Sequence, residues 1–67
     1  MVDVTALRES VELESRADLF AAACDFREAA HLMRQANAIR RREFGAFDPN
    51  ELRERTEAVL HKSAKPA

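Results

Sequence analysis

The sequence predicts an all-α fold: a three-helix domain built on an antiparallel helical hairpin. Apolar residues recur at steps of three or four along most of the chain, which is the spacing of a helix face. Two Asp residues precede such segments at the spacing expected of helix N-caps. The 67 residues include one glycine and two prolines, and 34% are charged. This composition argues against β-structure, long disorder and a transmembrane segment.

The first helix is predicted at about residues 4–23, with Asp3 or Thr5 as its N-cap. It carries two apolar stripes that point in nearly opposite directions at about 100° per residue. The first stripe consists of Leu13, Ala17, Phe20 and Cys24. The second, called the N-terminal stripe, consists of Val4, Leu7 and Val11.

The two stripes of the first helix cannot both face the second helix. Either the first helix breaks near Ser10, or the N-terminal stripe is buried by the third helix or by a second chain. We favour a second chain, because a small apolar patch left in water promotes association. The N-terminal stripe is therefore the predicted contact surface for a protein partner or for a second copy.

The second helix is predicted at about residues 26–44, directly after a turn at Cys24 and Asp25. Asp25 suits the N-cap because Glu28 follows three positions later, as in a capping box. One continuous helix is the alternative, but it would place Asp25 in a helix interior. The apolar arc is wide, so this helix is expected to contact both others. The arc contains Phe26, Ala29, Ala30, Leu32, Met33, Ala36, Ile39 and Phe44.

Charge is distributed unequally between the first two helices. Acidic residues predominate before the turn and arginines after it. Antiparallel packing is predicted to bring Glu9 near Arg40, and Glu14 near Arg34 and Gln35. Exposed pairs of this kind contribute only about 0–1 kcal/mol each. Burial of Phe and Met side chains is therefore expected to hold the hairpin together.

The third helix is predicted at about residues 49–62. Gly45 is expected to take a left-handed conformation where the second helix ends. Asp48 then provides an N-cap, followed by Pro at the first helical position. Phe47 is expected to pack on Leu52, and Phe44 and Phe47 form the second-choice partner contact. Residues 1–62 are predicted as one domain, and residues 63–67 as a disordered tail.

The segment around the turn resembles two known families. Asp25-Phe26-Arg27-Glu28-Ala29-Ala30-His31-Leu32 is similar to the D-F-E-x-A-A-x-L core of the UVR motif, with Arg27 in place of the first Glu. That resemblance implies a helical hairpin that binds protein, as it does between excision-nuclease subunits. The spacing also resembles a single tetratricopeptide repeat, another protein-binding hairpin. Both patterns equally follow from Ala residues that let two antiparallel helices approach closely.

Side chains suited to catalysis or metal binding are few and scattered. Cys24, His31 and His61 are the only thiol and imidazole groups, whereas a zinc site needs about four ligands. We therefore expect no enzyme activity, no metal and no cofactor. A lone Cys, with no export signal, indicates a cytoplasmic protein that does not engage a membrane.

These observations favour a small protein–protein interaction module: an accessory subunit, adaptor or inhibitor that binds a partner or itself through an apolar helical face. The alternative is a small nucleic-acid-associated regulator that uses Arg40, Arg41 and Arg42 as its contact. Consecutive arginines near a helix C-terminus also interact with the free carbonyl groups there. The nucleic-acid hypothesis is therefore second to the protein-binding one.

Overall fold

The computed structural model describes residues 1–64 as three helices: α1 (Val4–Ala22), α2 (Phe26–Phe44) and α3 (Pro49–Ala64). The predicted all-α, three-helix fold is confirmed, with α1 and α2 packed as a hairpin and α3 packed against both. α3 continues to Ala64, past the predicted helix end. Residues 65–67, the last part of the predicted tail, lie outside the described residues. None of the helices within residues 1–64 has the length and apolar character needed to cross a bilayer.

The turn between α1 and α2 is tight and hydrogen-bonded. The Asp25 N–H donates to the Phe20 carbonyl at 2.8 Å, and the Cys24 N–H donates to the Ala21 carbonyl at 3.0 Å. Cys24 has a φ of 63°, the left-handed conformation that usually ends a helix at Gly. The Asp25 side chain accepts from the Glu28 N–H at 3.3 Å and begins α2. The predicted hairpin is therefore confirmed, and the alternative of one continuous helix is excluded.

The other helix ends use the predicted residues. The Asp3 side chain accepts from the Ala6 N–H at 3.2 Å, and the Asp48 side chain accepts from the Glu51 N–H at 3.0 Å. Gly45 ends α2 with φ 110° and ψ −169°. Its φ is positive as predicted, but its ψ is extended, so it is not in the left-handed helical region. Only glycine adopts that combination readily.

An apolar cluster lies between α1 and α2 in the half of the hairpin nearer the turn. Its buried members are Ala17, Ala29 and Leu32, and Leu13, Ala21 and Met33 pack against them. None of the four Phe residues is buried, so the expectation that Phe burial holds the hairpin was wrong. Small Ala side chains let the two helices approach closely, and that approach leaves no room for a ring at the seam.

A second buried region, the polar junction, lies where the three helices meet. Its polar residues are Ser10, Asn37, Arg40 and Thr56, and they are buried together with Leu7, Ala36 and Leu52. Buried polar groups cost free energy unless they are hydrogen-bonded, so their partners matter. The Thr56 hydroxyl donates to the Leu52 carbonyl within α3 at 2.7 Å. The hairpin thus has an apolar half near the turn and a more polar half beside α3.

Candidate interaction surface

Arg40 occupies the centre of the polar junction, with its side chain 1% exposed. Its Nε donates to the Ser10 hydroxyl at 3.0 Å and its Nη2 donates to Glu14 Oε1 at 2.7 Å, both on α1. The Ser10 hydroxyl in turn donates to the Leu7 carbonyl at 2.6 Å. Arg53 of α3 lies 3.5 Å from the other Glu14 oxygen. One carboxylate therefore links all three helices.

This arrangement corrects three predictions about charged residues. Arg40 pairs with Glu14 and not with Glu9, because Ser10 and Glu14 share the buried side of α1 whereas Glu9 faces solvent. Glu14 therefore does not pair with Arg34 or Gln35. Arg40 is also wrong as a candidate nucleic-acid contact, because burial removes its guanidinium from any external ligand. Arg41 and Arg42 are exposed. They are the two remaining accessible arginines of the candidate nucleic-acid contact.

The N-terminal stripe is not an exposed contact surface. Leu7 has an exposure of 0%, and Val4 and Val11 are half-buried, all within a single chain. The prediction that a second chain buries Leu7 was therefore wrong, since the three-helix arrangement already does so. α1 also continues unbroken past Ser10.

The second-choice contact residues are only partly available. Phe44 is half-buried at the C-terminus of α2. Phe47 is exposed, but the Arg55 guanidinium lies 4.0 Å from its ring centroid and covers one face of the ring. Such a contact contributes on the order of 0.5–1 kcal/mol at an exposed position. Phe47 is thus partly engaged within its own chain.

Exposed apolar side chains concentrate at the turn end of the hairpin. Leu19 is 72% exposed, Phe26 65% and Phe20 38%, and we call these three residues the turn-end surface. The residues between Phe20 and Phe26 include Ala22, Ala23 and Cys24, which are small and exposed, and the exposed acidic residue Asp25. Single exposed apolar residues are common, but a cluster of large ones often marks an interaction site. The turn-end surface is therefore the candidate functional surface.

The turn-end surface continues into an open cavity on one side of the hairpin. This cavity has a volume of about 530 Å³ and is lined by Phe20, Asp25, Arg27, Glu28, His31 and Arg34. Its lining carries both signs of charge around one aromatic ring, and it is open to solvent. Within residues 1–64 no group of three or more His, Cys, Asp or Glu side chains is placed to hold a metal ion.

Sequence reasoning missed this surface because it assigned Phe20 and Phe26 to the buried seam and did not single out Leu19. Leu19 lies off both apolar stripes of α1, and that position was a signal of exposure. The assignment of Phe20 and Phe26 followed helical periodicity, which gives direction but not the distance between two helices. Alanine at the seam brings the helices so close that flanking rings stay outside.

The fold and its exposed end define a class of protein: a small all-α, three-helix chain with an apolar hairpin turn. No protein-family model matches the chain, and neither the curated proteins nor the solved structures contain a match to it. The resemblances to the UVR motif and to a tetratricopeptide repeat therefore stay predictions made from the residues.

Proposed function

We propose that this protein is a cytoplasmic protein–protein interaction module that binds a partner through its turn-end surface. The observation that carries the proposal is the joint exposure of Leu19, Phe20 and Phe26 at one end of the molecule. Burying such a side chain fully contributes about 1.5–3 kcal/mol. Aromatic residues are also enriched among the residues that dominate binding energy at interfaces.

The geometry of the turn supports this role. The Asp25 N–H donates to the Phe20 carbonyl, and the Asp25 side chain accepts from the Glu28 N–H. These bonds fix the backbone between Phe20 and Phe26 before any partner arrives. A preformed surface loses less conformational entropy on binding than a flexible one. A preformed apolar surface of this kind suits an adaptor, accessory subunit or inhibitor, each of which works by binding a partner protein.

The resemblance of the Asp25–Leu32 segment to the UVR motif supports the same proposal. Hairpins of that family, like tetratricopeptide repeats, are protein-binding elements. In this chain the resemblance covers the start of α2, which includes exposed Phe26. A sequence resemblance and an exposed surface thus separately support protein binding at the turn end of the hairpin.

Site-specific photocrosslinking tests the proposal. A photoreactive residue at position 19 is expected to yield one discrete adduct in cells that express the protein, and the same residue at exposed position 58 of α3 is the control. The crosslinked partner is then purified, and its affinity is measured for wild-type protein and for Phe26→Asp. We expect Phe26→Asp to weaken binding at least ~10-fold, since a charge replaces an apolar contact. No discrete adduct from position 19, or an unchanged affinity, would overturn the proposal.

The nucleic-acid function has less support, because only Arg41 and Arg42 of its proposed contact are exposed. It predicts binding of labelled DNA or RNA that weakens steeply with salt. Fluorescence anisotropy at low ionic strength tests it, with the Arg41→Glu, Arg42→Glu double variant as comparison. Strong binding that this variant loses would favour the nucleic-acid function over the protein-binding one.

A further inference from the structure

α3 covers only one side of the hairpin. Glu14 and Arg40 face α3, since the Glu14 carboxylate that holds Arg40 also pairs with Arg53. At about 100° per residue, Leu13 and Phe20 of α1 lie on the opposite side of the seam. By the same geometry Ile39 of α2 lies on that side too. We call this uncovered side the open face of the hairpin.

The open face has an apolar centre. Leu13 and Ile39 are half-buried and Phe20 is exposed, while Leu32 is buried beneath them at the seam. Leu13 and Phe20 are seven residues apart on α1, and Leu32 and Ile39 are seven apart on α2. Spacing of seven residues keeps side chains in line along a packed helix pair. The open face therefore resembles one half of a four-helix bundle interior.

Charged rows border this apolar centre, again at seven-residue spacing. On α1 the row consists of Glu9 and Arg16, with exposed Glu12 between them in the same groove beside Leu13, and on α2 it consists of Glu28, Gln35 and Arg42. Glu9, Arg16, Gln35 and Arg42 are exposed, and Glu28 is half-buried. Arg42 remains 68% exposed, with only a long 3.7 Å contact to Glu43. Each row thus has an acid at one end and a base at the other, with both ends accessible.

We infer that the open face binds the open face of a second copy of this chain, about a two-fold axis perpendicular to the helices. Such an axis reverses each row, so Glu28 meets Arg42 of the second copy and Glu9 meets Arg16 of the second copy. The uncharged Gln35 lies at the centre of its row, where it would face itself. A two-fold interface must be self-complementary. The α2 row meets that requirement throughout, whereas in the α1 row the two ends are complementary and Glu12 lies close to Glu12 of the second copy.

The two rows are also compatible with a single axis. Ser10 and Arg40 are hydrogen-bonded, so they lie at similar heights on α1 and α2. The middle of the α1 row, between Glu9 and Arg16, is then level with positions 37–38 of α2. That level is within about 4 Å of Gln35 along the helix axis. One axis through the centre of the open face therefore serves both rows.

This pairing goes beyond binding at the turn-end surface, and the two surfaces share one residue, Phe20. A standard interface takes roughly 800 Å² from each partner. The single chain exposes 4865 Å² in total, so a dimer would bury about a sixth of it. Leu19 and Phe26 lie outside the charged rows and stay free in such a dimer. Because the copies are antiparallel, their two turn ends point in opposite directions.

A charge-exchange experiment tests the dimer. Sedimentation equilibrium gives the dimer dissociation constant for wild-type protein, Arg42→Glu and Glu28→Arg, with Glu57→Arg on the exposed part of α3 as the matched control. In a dimer of either open-face variant, positions 28 and 42 carry the same charge. The two copies therefore bring like charges together at both symmetry-related contacts. We expect each to weaken dimerisation at least ~10-fold, and the control to leave it unchanged.

Mixing the two variants restores both pairs, because an Arg from one then faces a Glu from the other at each position. The mixture is therefore expected to dimerise within about threefold of wild type, and circular dichroism verifies that each variant is folded. A wild-type chain that stays monomeric at millimolar concentration would overturn the inference. So would a dimer unaffected by both variants, or folded variants whose mixture stays monomeric. Loss of dimer in Leu19→Asp would instead assign self-association to the turn-end surface.

Discussion

Arg40 donates a hydrogen bond to Glu14 at 2.7 Å across the hairpin, and this pair is buried far more deeply on the arginine side than on the carboxylate side. Arg40 Nη1 and Asn37 Oδ1 are buried without a hydrogen-bond partner within residues 1–64. Burying a charge costs free energy, and so does leaving a donor and an acceptor unpaired. The polar junction therefore contributes more to the choice of one helix arrangement than to overall stability.

This difference in burial predicts that changing Glu14 and changing Arg40 lower the free energy of unfolding by different amounts. Glu14→Gln leaves the Arg40 charge buried beside neutral groups, and we expect it to lower the free energy of unfolding by about 3 kcal/mol. Arg40→Met removes the buried charge and its unpaired donor, and Glu14 can turn to water. That variant is expected to cost only about 1–2 kcal/mol.

Urea denaturation followed by circular dichroism measures both values. Glu51→Gln, which breaks the exposed pair of Glu51 and Arg55 at 3.2 Å, is the control and is expected to change stability by about 0.5 kcal/mol or less. A larger loss for Arg40→Met than for Glu14→Gln would contradict the interpretation of the junction.

Leu7 and Leu19 are the same residue type on one helix in opposite environments. Leu7 is completely buried and Leu19 is mostly exposed. Leu7→Ala is expected to destabilise the protein by about 2–5 kcal/mol, because it removes packed methyl groups and leaves a cavity. Leu19→Ala is expected to change stability by about 0.5 kcal/mol or less. Thermal denaturation of the two variants side by side checks this, and equal effects would show that burial is misassigned.

Cys24 adopts a positive φ without being glycine. An L-residue in the left-handed region costs roughly 1–2 kcal/mol, so Cys24→Gly is expected to stabilise the turn by about 1 kcal/mol after the entropy cost of glycine. For a domain of this size, that change raises Tm by about 4–8 °C. Cys24→Ala keeps the unfavourable φ and serves as the control with little change. A lower Tm for Cys24→Gly would contradict the strain argument.

Gly45 is the converse case, because glycine is already present at a positive φ. A Cβ added there would meet Phe47 Cε2 at an ordinary 3.8 Å, so space does not oppose a side chain. Backbone strain does, and Gly45→Ala is expected to cost about 1–3 kcal/mol in the free energy of unfolding. Chemical denaturation of Gly45→Ala beside Ala46→Ser, a neutral change at an exposed neighbour, measures it. Equal stability of the two variants would show that the loop relaxes freely.

The helices were predictable because their signals are local. Asp25 and Asp48 cap helices through hydrogen bonds to residues three positions away, and Gly45 ends one by its own backbone. Apolar periodicity then gave the direction of each face. All these signals lie within one helix or one turn, so they can be recognised in the sequence without knowledge of the tertiary structure.

The contacts between helices were not predictable in the same way. The partner of Arg40 depends on how far α1 and α2 are rotated about their axes, and a pairing based on height alone selected Glu9 in place of Glu14. Burial of Leu7 depends on where α3 packs, which no local signal specifies. The exposure of Phe20 and Phe26 depends on the distance between the helices, which the Ala residues at the seam set.

The short connection between α1 and α2 also bears on how quickly the chain folds. Ala17, Ala29 and Leu32 are close to the turn in sequence, so bringing them together closes only a small loop. We expect contacts of this kind to form before the contact between Ser10 and Arg40, which are separated by 30 residues. The hairpin is therefore expected to assemble from its turn outwards on the microsecond-to-millisecond scale, with α3 docking last onto a junction that the first two helices have already built.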